Sequence, residues 1–224
     1  MNSFLSFAPL MTEIIDNKTR IALEALQLFI QFGIRSVSMD ELAAELGMSK
    51  KTLYNYYKDK DEIVLAVVTM VLDKNCKECR ADKQNAKNAI HESFMAIDQT
   101  TELFSRMNPT LMFELKKYHP RAYRVFEDYK SNFLYETLKN NISWGIDEGL
   151  FRDDIQVELT VRYRLETVLL AFTPEIYIHA DAGIGKTHEQ LFYIFLYGIA
   201  TPKGHQMINK YRKERLKNNT DAKN

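Results

Sequence analysis

Residues Ser38 to Lys60, SMDELAAELGMSKKTLYNYYKDK, constrain the fold of this chain more than any other stretch. They spell two short helices and the tight turn between them. Ser38 is a favourable N-cap, and Glu41 three residues on closes a capping box. Met39, Leu42, Ala43 and Leu46 then repeat at i, i+3, i+4 and i+7, one apolar helix face. Gly47 can take the left-handed conformation that ends a helix, and Ser49 caps the next one. On that second helix Leu53 and Tyr57 lie four apart and point inward, leaving Lys50, Lys51, Thr52, Tyr54, Asn55 and Tyr56 on the remaining surface. Cations, hydroxyls and an amide are the groups that meet phosphates and base edges. The pattern predicts a helix–turn–helix.

Upstream, Ile21, Ala25, Leu28, Phe29 and Phe32 mark one face of a helix from Asn17 to Phe32, capped at Asp16 or Asn17 and stopped by Gly33. It would support the reading pair from behind, with Val37 and Leu53 sharing a small core. Downstream, Asp59-Lys-Asp-Glu places acids in the first turn of a fourth helix, where the helix dipole favours them. That helix carries Ile63, Val64, Val67, Val68 and Val71. It is expected to run out of the small domain into the next one and to act between them as a lever over residues 60–72.

GMSKKTLYNYYKDKDEI, preceded by QFGIRSVSMDELAAEL, resembles the DNA-binding domain of the TetR family of transcriptional regulators, over about Ile15 to Val68. The most specific piece is a T-L-Y-x-Y-[FY]-x-x-K run, here Thr52, Leu53, Tyr54, Tyr56, Tyr57 and Lys60. KYHPRAYR (117–124) and GIDEGLFRDDI (145–155) resemble, more loosely, the effector domain of such regulators. The resemblance implies a homodimer that binds a double-stranded DNA operator, answers to a small-molecule effector, and is a repressor. In that reading Lys50, Lys51, Thr52 and Asn55 face the major groove, while Tyr54, Tyr56, Lys60 and Ser38 hold phosphates. Lys51 stands where many members carry a small residue, so it adds a base or phosphate contact. Two heads in a dimer imply half-sites spaced by whole helical turns and a near-palindromic operator.

Composition limits the alternatives. Eight glycines and five prolines in 224 residues favour long helices over sheets, so the expected fold is all-α. The chain is read as a helix–turn–helix domain (12–72), a ligand-binding and dimerisation domain (73–202) and a basic tail (203–224). The formal net charge is zero, so a nucleic-acid partner would depend on a local basic face rather than on the total. Two cysteines imply no disulfide framework and fit a reducing cytoplasm. No apolar run reaches the roughly 20 residues of a membrane span, so no membrane partner is expected. MNSFLSFAPLM lacks the basic start of a signal peptide and reads as a loose leader or dimer contact, with Met11 as an alternative start.

In the second domain, residues 74–88 read as a solvated helix end and loop. A helix follows from Ala89 to Met107, a short one lies between Pro109 and Pro120, and a long amphipathic one runs from Arg121 to about Glu148. Phe94, Phe104, Met107, Met112, Phe113, Phe133 and Trp144 are the candidates for lining an effector cavity, since methionine and aromatic side chains suit apolar ligands. Stripes at this spacing also occur as plain core. The segments 157–177 and 190–199 are apolar nearly all round, which requires burial on more than one side. They suggest a four-helix subunit interface through Leu165, Leu169, Phe172, Phe192 and Phe195.

Other chemistry finds weaker footing. Ala180–Thr187, ADAGIGKT, matches a relaxed phosphate-loop pattern, with EIYIH before it as a candidate strand. It lacks the first glycine, and no β/α alternation surrounds it; a turn with Thr187 as N-cap is the alternative. Cys76-x-x-Cys79 offers two of the four ligands that zinc needs, or a thiol switch. The five histidines show no metal-ligand spacing, and no catalytic constellation occurs, so neither enzyme activity, cofactor nor metal is expected. The tail PKGHQMINKYRKERLKNNTDAKN is a basic amphipathic helix, expected to be solvated. A helical protein-interaction module without specific DNA binding is the remaining alternative.

Overall fold

The computed structural model describes residues 16–177 and 183–221, and among these every regular element is helical. The β structure is one antiparallel bridge between Phe151 and Ala200. The all-α organisation expected from the glycine and proline usage is the one found. The N-terminal leader lies outside the described residues. By backbone proximity the chain divides into two compact units: one runs up to Leu72 and takes in Thr110–Phe126, and the other holds Asp73–Pro109 and everything from Glu127 on.

The first unit is built on α1 (Asn17–Phe32), α2 (Met39–Glu45), α3 (Lys50–Tyr56) and the start of α4 (Lys60–Asn85). Its core takes Ile21, Ala25 and Phe29 from α1, Leu42 and Ala43 from α2, Leu53 from α3, and Ile63, Val64 and Val67 from α4. Phe32, expected on the inner face of α1, is exposed; Leu26 and Ile30 are buried in its stead. The helices α6 (Leu111–Tyr118) and α7 (Pro120–Tyr129) also contribute, through Leu115 and Ala122. The division into 12–72 and 73–202 did not include this insertion. Glu114 holds it in place by accepting a hydrogen bond from the Arg35 backbone N–H at 2.9 Å, and the Arg35 guanidinium stacks over the Tyr118 ring at 4.8 Å. His119 Nδ1 meets Asp61 at 2.6 Å.

The second unit packs α5 (Ala89–Arg106), α8 (Tyr135–Asp147), α9 (Val157–Leu169), α11 (Gly183–Ile199) and α12 (Pro202–Asp221) around Ile90, Phe94, Ile142, Val161, Leu196 and Ile208. The single long helix expected over residues 121–148 is interrupted. Lys130–Leu134 is a π-helical segment, and its buried Lys130 ammonium pairs with Glu127 at 3.1 Å and Glu166 at 3.2 Å. The helix end and loop expected over 74–88 is instead the continuation of α4 as far as Asn85. Nor is the tail solvated. Its Ile208 is fully buried, Gly204 lies against the Leu150 carbonyl with no room for a Cβ, and Arg215 pairs with Asp98 and Glu189.

Candidate nucleic-acid interface

Local chemistry sets the geometry of α2 and α3. Ser38 Oγ accepts from the Glu41 N–H at 3.1 Å while the Glu41 carboxylate accepts from the Ser38 N–H at 2.7 Å, so the capping box is closed on both sides. These bonds hold the Glu41 carboxyl below the usual carboxylate range, its Ser38 backbone bond being the largest cause. At the other end of α2, Gly47 adopts φ +64°, and the Met48 N–H returns to the Ala43 carbonyl at 3.0 Å. A left-handed residue followed by that 6→1 bond is a Schellman ending, which an L side chain at Gly47 would strain. Ser49 then opens α3 by accepting from the Thr52 N–H at 3.0 Å. The turn length is thereby fixed from both helices.

The inner side of α3 anchors it. Leu53 is fully buried, and the buried Tyr57 donates its hydroxyl to the Lys18 carbonyl of α1 at 3.0 Å. Arg20 on α1 donates to the Leu46 carbonyl at 2.6 Å, tying α1 to the turn itself. The outer side presents Lys50, Lys51, Tyr54 and Asn55 to solvent, with Thr52 and Tyr56 half-buried beside them. Lys50 is already engaged with Asp40 at 2.7 Å, which raises its pKa. Tyr56 accepts a hydrogen bond from the Asn17 side chain at 2.8 Å. Lys60 sits apart from this face: it is half-buried, its ammonium is 3.5 Å from the Arg35 carbonyl, and burial lowers its pKa. Seven of the eight expected contact residues are on or beside the α2–α3 pair, and Lys60 opens α4.

The expected effector residues are not brought together. Met112 and Phe113 belong to the first unit, where Phe113 is exposed. In the second unit Phe94 is core against Phe192 and Tyr211, Trp144 lies under the Lys83 ammonium, and Phe104 packs against Phe172 and His188. Met107 is half-buried just beyond the end of α5. A surface groove of about 540 Å³ at the π-helical segment takes Phe133, with Asn132, Glu136 and Asn140. The interface set shifts as well. Leu165, Phe192 and Phe195 are buried in their own chain's core, and Leu169 and Phe172 are half-buried. The exposed apolar residues on the same helices are Leu159, Tyr163 and Ile194.

The competing motifs dissolve in the fold. Gly183–Thr187 forms the first turns of α11, so Thr187 is not an N-cap; its hydroxyl donates to the Gly183 carbonyl at 2.9 Å. Ala180–Ala182 lie outside the described residues. The segment before them, Pro174–Tyr177, is a helical turn rather than a strand. Burial pushes the Cys79 thiol up to about 12, the opposite of a reactive thiolate, and also raises Cys76. Among the described residues no group of three or more histidine, cysteine or acidic side chains could hold a metal ion. Among the described residues no helix is long and apolar enough to cross a membrane.

Comparisons with known proteins converge on this interface. A sequence model of bacterial regulatory proteins of the tetR family matches residues 21–67, the span from α1 to α4. The HTH-type transcriptional regulator YvaF of Bacillus subtilis (strain 168) is 28% identical over 193 residues, 80% of this chain and 94% of that relative. Among solved structures, a TetR-family transcriptional regulator from Agrobacterium tumefaciens superimposes with TM-score 0.67 at 14% identity, over 83% of this chain and all of that one. A transcriptional regulator from Saccharomonospora viridis in complex with choline gives TM-score 0.65 at 17% identity, over 82% of this chain and 97% of that one. Residues 21–67 thus carry the DNA-binding domain of the tetR bacterial regulatory proteins, and over most of its length the chain is similar to HTH-type transcriptional regulators.

Proposed function

We propose that the protein is a homodimeric repressor, released from a near-palindromic operator by a small effector with an apolar body. The observation that carries this reading is the exposed face of α3. Lys51, Tyr54 and Asn55 stand free on a helix whose opposite side is locked by Leu53 and Tyr57. The residues proposed to read the major groove are Lys50, Lys51, Thr52 and Asn55. Tyr54, Tyr56 and Ser38 fix the register on phosphates, and Lys60 adds a weaker phosphate contact from the start of α4. Leu159, Tyr163 and Ile194 are the proposed subunit face, in place of the buried residues beside them.

An effector weakens DNA binding by favouring whichever spacing of the two heads does not fit the operator. The expected coupling is on the order of 1–3 kcal/mol. The chain passes between the two units at residues 72–73, 109–110 and 126–127. Both α4 and the 110–126 segment can therefore carry the effector's influence. The choline complex of the S. viridis regulator supports a small-molecule role for this fold.

The test is a fluorescence-anisotropy titration of the protein onto its own upstream DNA and onto a shuffled duplex, at several salt concentrations. A preference of about 10³ or more for the native fragment, with a steep salt slope, is the expected result. Lys51→Ala should flatten that slope by about one unit of log K per log salt, and Lys50→Ala by less, because Asp40 already holds its ammonium. Equal, weak binding to both duplexes would favour the interaction-module reading. If neither lysine variant nor Tyr54→Phe changes affinity or slope, the contact assignment is wrong.

A further inference from the structure

Arg164 of α9 is buried without a counter-ion. Only 6% of its surface is exposed, yet among the described residues no carboxylate pairs with it and its Nη1 has no hydrogen-bond partner. Its Nη2 meets His188 Nε2 of α11 at 3.5 Å, and its guanidinium lies 5.5 and 5.4 Å from the ring centres of Phe192 and Phe195. His188 is 1% exposed, and its Nδ1 is likewise without a partner. The His188 ring is 4.8 Å from Phe104, which in turn packs edge-to-face on Phe172. A third orphan, Thr101 Oγ1, sits one turn before Phe104 on the same α5–α11 seam. Elsewhere in this unit the buried Lys130 is paired with two glutamates and the half-buried Arg215 with Asp98 and Glu189.

A buried guanidinium is costly unless a partner neutralises it, and aromatic faces repay only part of that cost. A second subunit cannot supply the missing group, because the chain itself already covers Arg164. What fits is a small anion delivered with an apolar body. We propose that Arg164, His188 and the surrounding phenylalanine rings form the acid-holding end of a ligand site in the C-terminal unit, which takes an amphipathic monocarboxylate. This deepens the effector reading above and rests on it. A carboxylate accepts the paired N–H bonds of a guanidinium in one plane, and Phe104, Phe172, Phe192 and Phe195 offer walls for its apolar remainder. The site carries a single positive charge, because burial and the neighbouring Arg164 push His188 down to about 3 and keep it neutral. One charge matches a monocarboxylate better than a phosphate dianion.

The test is isothermal titration of the full-length protein with two matched pairs, decanoate against decan-1-ol and 4-phenylbutyrate against 4-phenylbutan-1-ol. At least one acid should bind about ten-fold or more tightly than its alcohol. Arg164→Met, apolar and of similar length, should erase that preference. Arg164→Lys, which keeps the charge but loses the planar pair of donors, should retain part of it and serves if the methionine variant does not fold. Equal affinity for acid and alcohol, no binding of either acid at about 1 mM, or a preference unchanged in both variants overturns the proposal. An operator titration on the same preparations separates the two readings: intact DNA binding with no acid preference removes this site and leaves the regulator.

Discussion

The two units solve the same problem, fixing helices against one another, by different means. In the reading unit α1, α2 and α3 each begin on a side chain that caps the helix: Asp16, Ser38 and Ser49. In the C-terminal unit Asn88 caps α5 and Thr201 caps α12, whereas α8 and α9 begin with no side-chain cap. There the burden passes to packing. Gly145 admits the Phe151 ring and Gly185 admits Ser105, both at distances no Cβ would tolerate, and a π-helical segment interrupts the longest helix. Among the described residues, buried side-chain atoms without a hydrogen-bond or ion-pair partner follow the same division: Asp82 Oδ2, Thr101 Oγ1, Arg164 Nη1 and His188 Nδ1 all lie in the second unit. A unit that must present one rigid face to DNA is locally determined. The second unit keeps polar atoms in its interior that its own described residues do not satisfy.

The largest effect expected from breaking this contrast is Leu53→Ala. Leu53 is fully buried at the centre of the small core, so truncation should cost about 3 kcal/mol. In chemical denaturation the reading unit should melt early while the second unit keeps its transition, and DNA binding should vanish. A single merged transition shifted as a whole would mean the two units are not independent in stability.

Gly185→Ala is the counterpart in the second unit. Its Cβ would fall 1.9 Å from Ser105 Oγ and 2.8 Å from the Thr101 carbonyl, and the backbone atom cannot swing aside. Overpacking of this kind costs about 2 kcal/mol. Calorimetry should show the loss in the second unit, with the α3 face still competent for DNA. Ser38→Ala tests the reading unit more gently. It removes one side of the capping box, worth about 1 kcal/mol, and should lower operator affinity beyond its share of phosphate contact by fraying the start of α2. Ser38→Asp, which keeps a capping oxygen, should restore stability but not phosphate binding.

The same contrast decides how much could be read from residues alone. The helix from Asn17 to Phe32, the capping box at Ser38, the turn at Gly47 and the buried pair Leu53 and Tyr57 were all legible, because each depends on residues within a few positions of one another. The attachment of 110–126 to the reading unit was not, since it depends on Glu114 reaching Arg35 across 79 positions of chain. The start of α11 was misplaced because Gly183 and Gly185 read as a loop, whereas Gly185 serves a close helix contact. Arg164 did leave a trace: it occupies the register of Val161, Leu165 and Val168, the inner stripe of its helix. An arginine at a core position is a signal, although its missing partner is visible only in three dimensions.

The smallest expected effect is a pH dependence confined to the second unit. Burial first, then the negative charges of Glu78 and Glu92, raise the Asp82 carboxyl to about 6, against the opposing hydrogen bond from Gln99. An unfolded aspartate titrates near 3.8. Between about pH 4 and 6 the folded state therefore binds more protons than the unfolded one, and stability from this group falls as pH rises. It is fully present below about pH 4 and gone above about pH 6. Screening by solvent leaves under about 1 kcal/mol across that window. Asp82→Asn is neutral throughout and can keep the Gln99 contact, so it should equal the parent at pH 4 and exceed it at pH 7.5 in urea denaturation. The reading unit's buried carboxylate, Glu114, accepts from the Arg35 N–H and the Thr110 hydroxyl. A pH dependence of the same sign in the first transition, or one that Asp82→Asn leaves untouched, would show that the compromise is not confined to the second unit.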